Sequence, residues 1–169
     1  NRPQLLTKSG TDISGSLGIF AWPEDLNSAD FHIIPDVTGD GIDEVAASGY
    51  RGSQDRNQFI VKNGANRDVI YANIGWANKW TQVTYHVLGD LNGDGQAEIA
   101  LYGLRTTGVW ELNVRDTLNN DYGVFVIGKD WVSKPLIAVG DDKDGDGHRD
   151  VLLYGHALDG TPQTRYMND

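Results

Sequence analysis

Asp90-Leu-Asn-Gly-Asp-Gly-Gln-Ala-Glu98 runs directly into an apolar stretch that ends at Gly103. The same nine-residue frame occurs as Asp36-Val-Thr-Gly-Asp-Gly-Ile-Asp-Glu44 and as Asp142-Lys-Asp-Gly-Asp-Gly-His-Arg-Asp150, with no gap in any copy. The copies start 54 and 52 residues apart. A strand-like run precedes each copy, at 31–34, 85–88 and 137–139, and an apolar run ending in Gly49, Gly103 or Gly155 follows it. A period of about 50 residues marks a repeat architecture built from one supersecondary unit, such as a propeller blade.

The sequence between the loops reads as strands throughout. After Glu44 come 45–48, 58–62, 69–73 and 82–88, each rich in β-branched or aromatic residues. Asn63-Gly64 reads as a hairpin turn between the second and third of these. After Glu98 the same four runs recur at 99–102, 109–114, 123–127 and 136–139, and no amphipathic helix pattern is found. Four short antiparallel strands per unit describe a propeller blade. The expected fold is all-β, with blades of four antiparallel strands, about three blades' worth of chain, and Asp-rich calcium loops.

Gln4-Leu-Leu-Thr-Lys-Ser-Gly10 echoes Gln58-Phe-Ile-Val-Lys-Asn-Gly64, so the chain opens on the second strand of a unit. The loop-to-loop division is a partial blade 1–35, blades 36–89 and 90–141, and a partial blade 142–169 with strands at 151–154 and 164–167. Propellers have four to eight blades. Further blades in cis, or a second copy in trans, are therefore expected to complete the ring.

Side-chain oxygens recur at positions 1, 3, 5 and 9 of the loops. They belong to Asp36, Thr38, Asp40 and Glu44; to Asp90, Asn92, Asp94 and Glu98; and to Asp142, Asp144, Asp146 and Asp150. Position 6 is Gly in every copy, which permits the sharp turn that brings alternate side chains to one centre. Position 7 varies among Ile42, Gln96 and His148, as expected if only its carbonyl serves. An all-oxygen set in a flexible loop suits a hard cation with six to eight ligands, Ca²⁺ rather than Zn²⁺, while Mg²⁺ favours octahedral, water-rich sites. Three or four carboxylates within nine residues repel one another strongly without a cation. An acidic turn that holds no metal is the plain alternative, and three aligned copies weigh against it. An EF-hand needs a bidentate carboxylate at position 12, where this chain has Ala47, Leu101 and Leu153.

The frame Asp-x-[Asp/Asn/Thr]-Gly-Asp-Gly-x-x-[Asp/Glu], a β run and then Gly resembles the FG-GAP or VCBS-type repeat, found in integrin α-subunit propellers and in many bacterial secreted proteins. The resemblance spans essentially the whole chain. It implies a β-propeller with three structural Ca²⁺ ions held at the positions above. Thr38 departs from the usual Asp or Asn, which implies a weaker first site or one that uses water there. The resemblance also implies an extracellular, secreted or cell-surface setting. The function expected is adhesion or recognition of a surface glycan or protein, without catalysis by this chain. A propeller portion of a secreted polysaccharide-degrading enzyme is the alternative, since fold does not settle function.

Composition agrees with this picture. The chain has 24 acidic and 14 basic residues, a net charge of −10 and no Cys. The acidic excess argues against a nucleic-acid partner held by phosphate contacts. Zero Cys excludes disulfide scaffolds and thiol catalysis. No apolar run approaches the roughly 18 residues of a membrane span, so no membrane insertion is expected. Twelve of the acids lie in or beside the three loops, and three divalent ions would bring the charge from −10 to −4.

Trp22 and Trp76 each lie 14 residues before their loop, and with Trp80 and Trp131 they read as packing between blades rather than sugar platforms. His32 and His86 share one repeat position, which argues against a unique catalytic histidine. Tyr154 and His156 could form a proton-transfer pair, but Tyr154 is the repeat equivalent of Tyr102 and Ser48 and reads as structural. No nucleophile elbow, phosphate loop, HExxH motif or Asn-linked glycosylation sequon is present.

Overall fold

A computed structural model describes residues 2–8, 16–77, 79–131 and 135–167. Ser9 and Gly10, the end of the N-terminal echo, lie outside the described residues. The fold is all-β. Its strands are β1 (Gln4–Lys8), β2 (Ser16–Ala21), β3 (Leu26–Ile34), β4 (Glu44–Arg51), β5 (Arg56–Lys62), β6 (Ile70–Ala77), β7 (Trp80–Gly89), β8 (Glu98–Arg105), β9 (Trp110–Asp116), β10 (Asp121–Gly128), β11 (Leu136–Val139), β12 (Val151–His156) and β13 (Pro162–Met167). One 3₁₀ turn, Gly52–Gln54, is the only helical element among the described residues. Among the described residues no helix is long and apolar enough to cross a membrane.

The strands form antiparallel sheets β1-β2, β3-β4-β5-β6, β7-β8-β9-β10 and β11-β12-β13. Each Asp-rich segment joins the first and second strands of one sheet. The sheets are therefore phased one strand earlier than the loop-to-loop division: the run at 82–88 opens a sheet rather than closing the preceding one. β1 and β2 keep the register of β5 and β6, with Gln4↔Ala21 matching Gln58↔Gly75.

Burial explains the sequence pattern. The strand after each full-sheet loop reads as a continuous apolar run because it lies inside its sheet and is covered on both faces. Val45, Ala46, Ala47 and Ser48 in β4, and Ile99, Ala100, Leu101 and Tyr102 in β8, are all buried. β9 instead alternates, burying Trp110, Leu112, Val114 and Asp116.

Two local features differ from the sequence reading. β3 and β7 begin earlier than the apolar runs suggest, because each contains a bulge at an equivalent polar residue. Ser28 and Gln82 both take φ 53°, where the register slips. Asn63-Gly64 is not a two-residue hairpin turn. The chain loops over 63–69, closed by the Asn63 N–H donating to the Val69 carbonyl at 3.1 Å. Gly64 is needed for close approach instead: a Cβ there would collide with the Asp43 carbonyl.

Contacts divide the chain into two units, Asn1–Asn78 with Thr117–Asn119, and Lys79–Asp116 with Asn120–Asp169. In the first, Phe20, Trp22, Leu26, Val45, Ala47 and Ile60 form one buried cluster. Trp22 also donates its indole N–H to the Ile60 carbonyl at 3.2 Å. In the second, Ala100, Tyr102, Leu112, Val114, Ile127, Trp131, Val151 and Leu153 are among the cluster, which bridges two sheets. The tryptophans are thus packing residues. His32 packs on Phe59 and its Nε2 pairs with the Ser48 hydroxyl at 2.8 Å, a structural role.

Gly64→Ala should destabilise the fold by about 1–3 kcal/mol, because the loop must move off Asp43. A denaturant midpoint equal to that of the parent would contradict this account of the turn.

Candidate metal centre

The three loops share one hydrogen-bond frame. The first Asp accepts from the backbone N–H groups three and five residues on. Asp36 Oδ1 and Oδ2 accept from Gly39 and Gly41, both at 2.7 Å. Asp90 accepts from Gly93 at 2.7 Å and Gly95 at 2.9 Å, and Asp142 from Gly145 at 2.6 Å and Gly147 at 2.9 Å. The fifth residue accepts from the N–H of the seventh: Ile42 to Asp40 at 2.9 Å, Gln96 to Asp94 at 2.7 Å, His148 to Asp146 at 2.7 Å.

These bonds need left-handed backbone at the fourth and sixth positions. All six glycines there have φ between 77° and 93°, a region that side chains resist. The N–H groups of Gly41 and Gly39 hold the Asp36 carboxyl below its usual range, and those of Gly145 and Gly147 do the same for Asp142.

The ninth position closes each loop from inside. Glu44, Glu98 and Asp150 are buried, at 0%, 0% and 3% exposure. Each accepts from the N–H of the second loop residue: Val37 to Glu44 at 3.1 Å, Leu91 to Glu98 at 2.6 Å, Lys143 to Asp150 at 3.0 Å. The other oxygen of Glu98, Oε1, is buried with no hydrogen-bond partner. Burial pushes the Glu98 carboxyl up to about 7; the Leu91 N–H opposes this, and the Asp94, Asp90 and Asp116 charges add to it.

Carboxylate oxygens converge in two of the loops. Asp36, Asp40 and Glu44 form one group and Asp142, Asp144 and Asp146 another, with the ligand atoms of each group within 4.8 Å of one another. Oxygens around one Ca²⁺ at about 2.3–2.6 Å lie at most about 5 Å apart, so both groups fit such an ion. Asp150 stands outside the third group, and Asp90, Asp94 and Glu98 do not gather to that distance. In the second loop Asn92 Nδ2 donates to Asp94 Oδ2 at 3.3 Å. At the seventh positions Ile42 is exposed, and the His148 ring lies beside Tyr122.

The Thr38 hydroxyl, the unusual third-position group, donates to Glu44 Oε1 at 3.0 Å and stands within the first cluster. Two contributors lie outside the nine-residue frame and carry no signal in it. Asn63 donates to Asp40 Oδ2 at 3.2 Å from the 63–69 loop. Asp116 adds its charge from β9, where it is the register partner of Glu98. The second and third loops are also tied directly, by the Arg149 N–H donating to the Leu91 carbonyl at 2.9 Å.

No protein-family model, curated protein or solved structure matches this chain. The site therefore rests on its own geometry.

The raised Glu98 carboxyl sets a pH dependence. The folded, metal-free chain keeps a proton there that the unfolded chain releases nearer 4.5, so stability is lost as pH rises from about 5 to 8. In chelator the melting temperature should fall over that window, by the equivalent of about 3 kcal/mol at most. Glu98→Gln should flatten the slope. An identical slope in parent and variant would exclude Glu98 as its source.

Proposed function

We propose that this chain is a calcium-stabilised β-propeller module that works outside the cell in adhesion or recognition of a surface glycan or protein. The observation that carries the metal reading is Glu98 Oε1: a buried carboxylate oxygen without a partner, at the end of a loop whose acidic pattern recurs twice more. A bound cation answers both its desolvation and the repulsion among its neighbours. The donors are all oxygen, which favours calcium over a softer ion.

Asp36, Thr38, Asp40 and Glu44 would hold the first ion, Asp90, Asn92, Asp94 and Glu98 the second, and Asp142, Asp144, Asp146 and Asp150 the third. The carbonyls of Ile42, Gln96 and His148 would complete them. The role proposed for the metal is structural, because each loop ties the first two strands of its sheet. No part of this reading asks the chain to catalyse a reaction. Extracellular modules often bind calcium at about 10⁻⁴–10⁻³ M, which suits a secreted or cell-surface setting. At calcium 100-fold above Kd each site would add about 2.7 kcal/mol.

Chelation with EDTA should lower the melting temperature, and calcium should restore it more effectively than magnesium. Asp→Asn at Asp40, Asp94 or Asp146 should each remove part of the calcium-dependent stabilisation. A melt indifferent to EDTA would sink the reading.

A further inference from the structure

The chain has two Asn-Gly pairs, Asn63-Gly64 and Asn92-Gly93. In such a pair the glycine nitrogen can attack the asparagine side-chain amide, because no Cβ on the glycine hinders the approach. Two requirements limit that attack. The nitrogen must lose its proton, and the amide carbonyl must be polarised. The second Asp-rich loop meets both.

The Gly93 N–H donates to Asp90 Oδ1 at 2.7 Å, so a carboxylate sits on the proton that has to leave. The Asp94 N–H donates to Asn92 Oδ1 at 3.0 Å and is shared with Asp90 Oδ1 at 3.1 Å. That bond turns the Asn92 side chain back along its own backbone, past the Gly93 peptide. It also aims a donor at the oxygen on which charge develops during attack. Asn92 Nδ2, the nitrogen that would depart, donates to Asp94 Oδ2 at 3.3 Å. Gly93 and Asp94 are exposed, so water reaches the pair.

Asn63 supplies an internal contrast. Its amide is held in a similar way: Oδ1 accepts from the Asn66 N–H at 2.6 Å, and Nδ2 donates to Asp40 Oδ2 at 3.2 Å. Among the described residues, however, no carboxylate accepts from the Gly64 N–H, and Gly64 is wedged against the Asp43 carbonyl. The two pairs therefore differ in the base and in the freedom of the glycine to move.

We propose that Asn92-Gly93 is a self-modification site, at which the loop converts its own asparagine to aspartate or isoaspartate with Asp90 as the general base. Asp90 takes the Gly93 proton and the nitrogen bonds to Asn92 Cγ. The Cγ–Nδ2 bond then breaks, and the proton passes from Asp90 to Nδ2, which leaves as ammonia. Water opens the resulting cyclic imide. Cleavage between Cγ and the Gly93 nitrogen gives aspartate; cleavage at the Asn92 backbone carbonyl gives isoaspartate. The net change is one water consumed and one ammonia released, with no oxidant, reductant or metal. Either product places a negative charge between Asp90 and Asp94. Aspartate gives the second loop the Asp-x-Asp-Gly-Asp-Gly frame of the third, in which carboxylates gather.

Peptide mapping by mass spectrometry tests this on the whole chain aged in EDTA, where calcium plays no part. The readout at each pair is the mass gained when an amide NH₂ is exchanged for OH. In the folded protein Asn92 should convert about tenfold faster than Asn63 or more, whereas in urea the two rates should come close together. Asp90→Asn keeps an acceptor for the Gly93 N–H but removes the base, and should slow Asn92 about tenfold with Asn63 unchanged. Should that variant unfold, Asn63 will speed up, and the comparison of folded with urea-treated parent then decides. Equal rates at the two pairs in the folded parent overturn the proposal. So does a folded Asp90→Asn chain in which Asn92 converts as fast as before.

Discussion

A buried carboxylate at the head of a central strand is the constraint from which the rest follows. Removing such a group from water costs several kcal/mol unless charge or hydrogen bonds answer it. Here Glu44, Glu98 and Asp150 each receive one backbone N–H, which fixes where the loop turns back over its strand. Glu44 gains a second bond from the Thr38 hydroxyl, whereas Glu98 keeps one oxygen with no partner. In the first loop Asp36 and Asp40 bring further carboxylate oxygens to within 4.8 Å of Glu44. The same residue therefore ties the head of its strand to the turn of its loop.

The loop is costly in isolation. Two left-handed positions, clustered like charges and an inward-turned backbone all disfavour it, and glycine relieves only the first of these. The sheets supply rigid ends for it to span. Strands covered on both faces, such as 99–102, hold the ninth residue in place, while Leu91 enters the core from within the loop. Acidic loop and core are thus coupled through neighbours in the chain.

The sequence made much of this legible, because a repeat prints its constraints several times. Strict spacing at positions 1, 3, 5 and 9 marked the loops, and the apolar runs after them marked buried central strands. Leu136–Val139 was placed at its observed bounds. The starts of β3 and β7 were hidden, since Asn27, Ser28 and Gln82 are polar residues in bulges that no hydrophobic pattern reports. The 63–69 loop is hidden because Asn63-Gly64 has hairpin chemistry, whereas Gly64 is dictated by a neighbour 21 residues away, Asp43. Asn63 reaches Asp40 from the 63–69 loop and Asp116 faces Glu98 through sheet register, neither of which a single sequence displays. Convergence is legible only in part: equal spacing predicts three centres, the first weaker at Thr38, whereas carboxylates gather in the first and third loops and not in the second.

Calcium stoichiometry, measured by equilibrium dialysis against metal-stripped protein, tests the central claim most directly. The account requires three ions per chain, falling to two when Asp40, Asp94 or Asp146 is changed to Asn. A chain that binds no calcium at extracellular concentrations would contradict it, leaving the three loops as acidic turns.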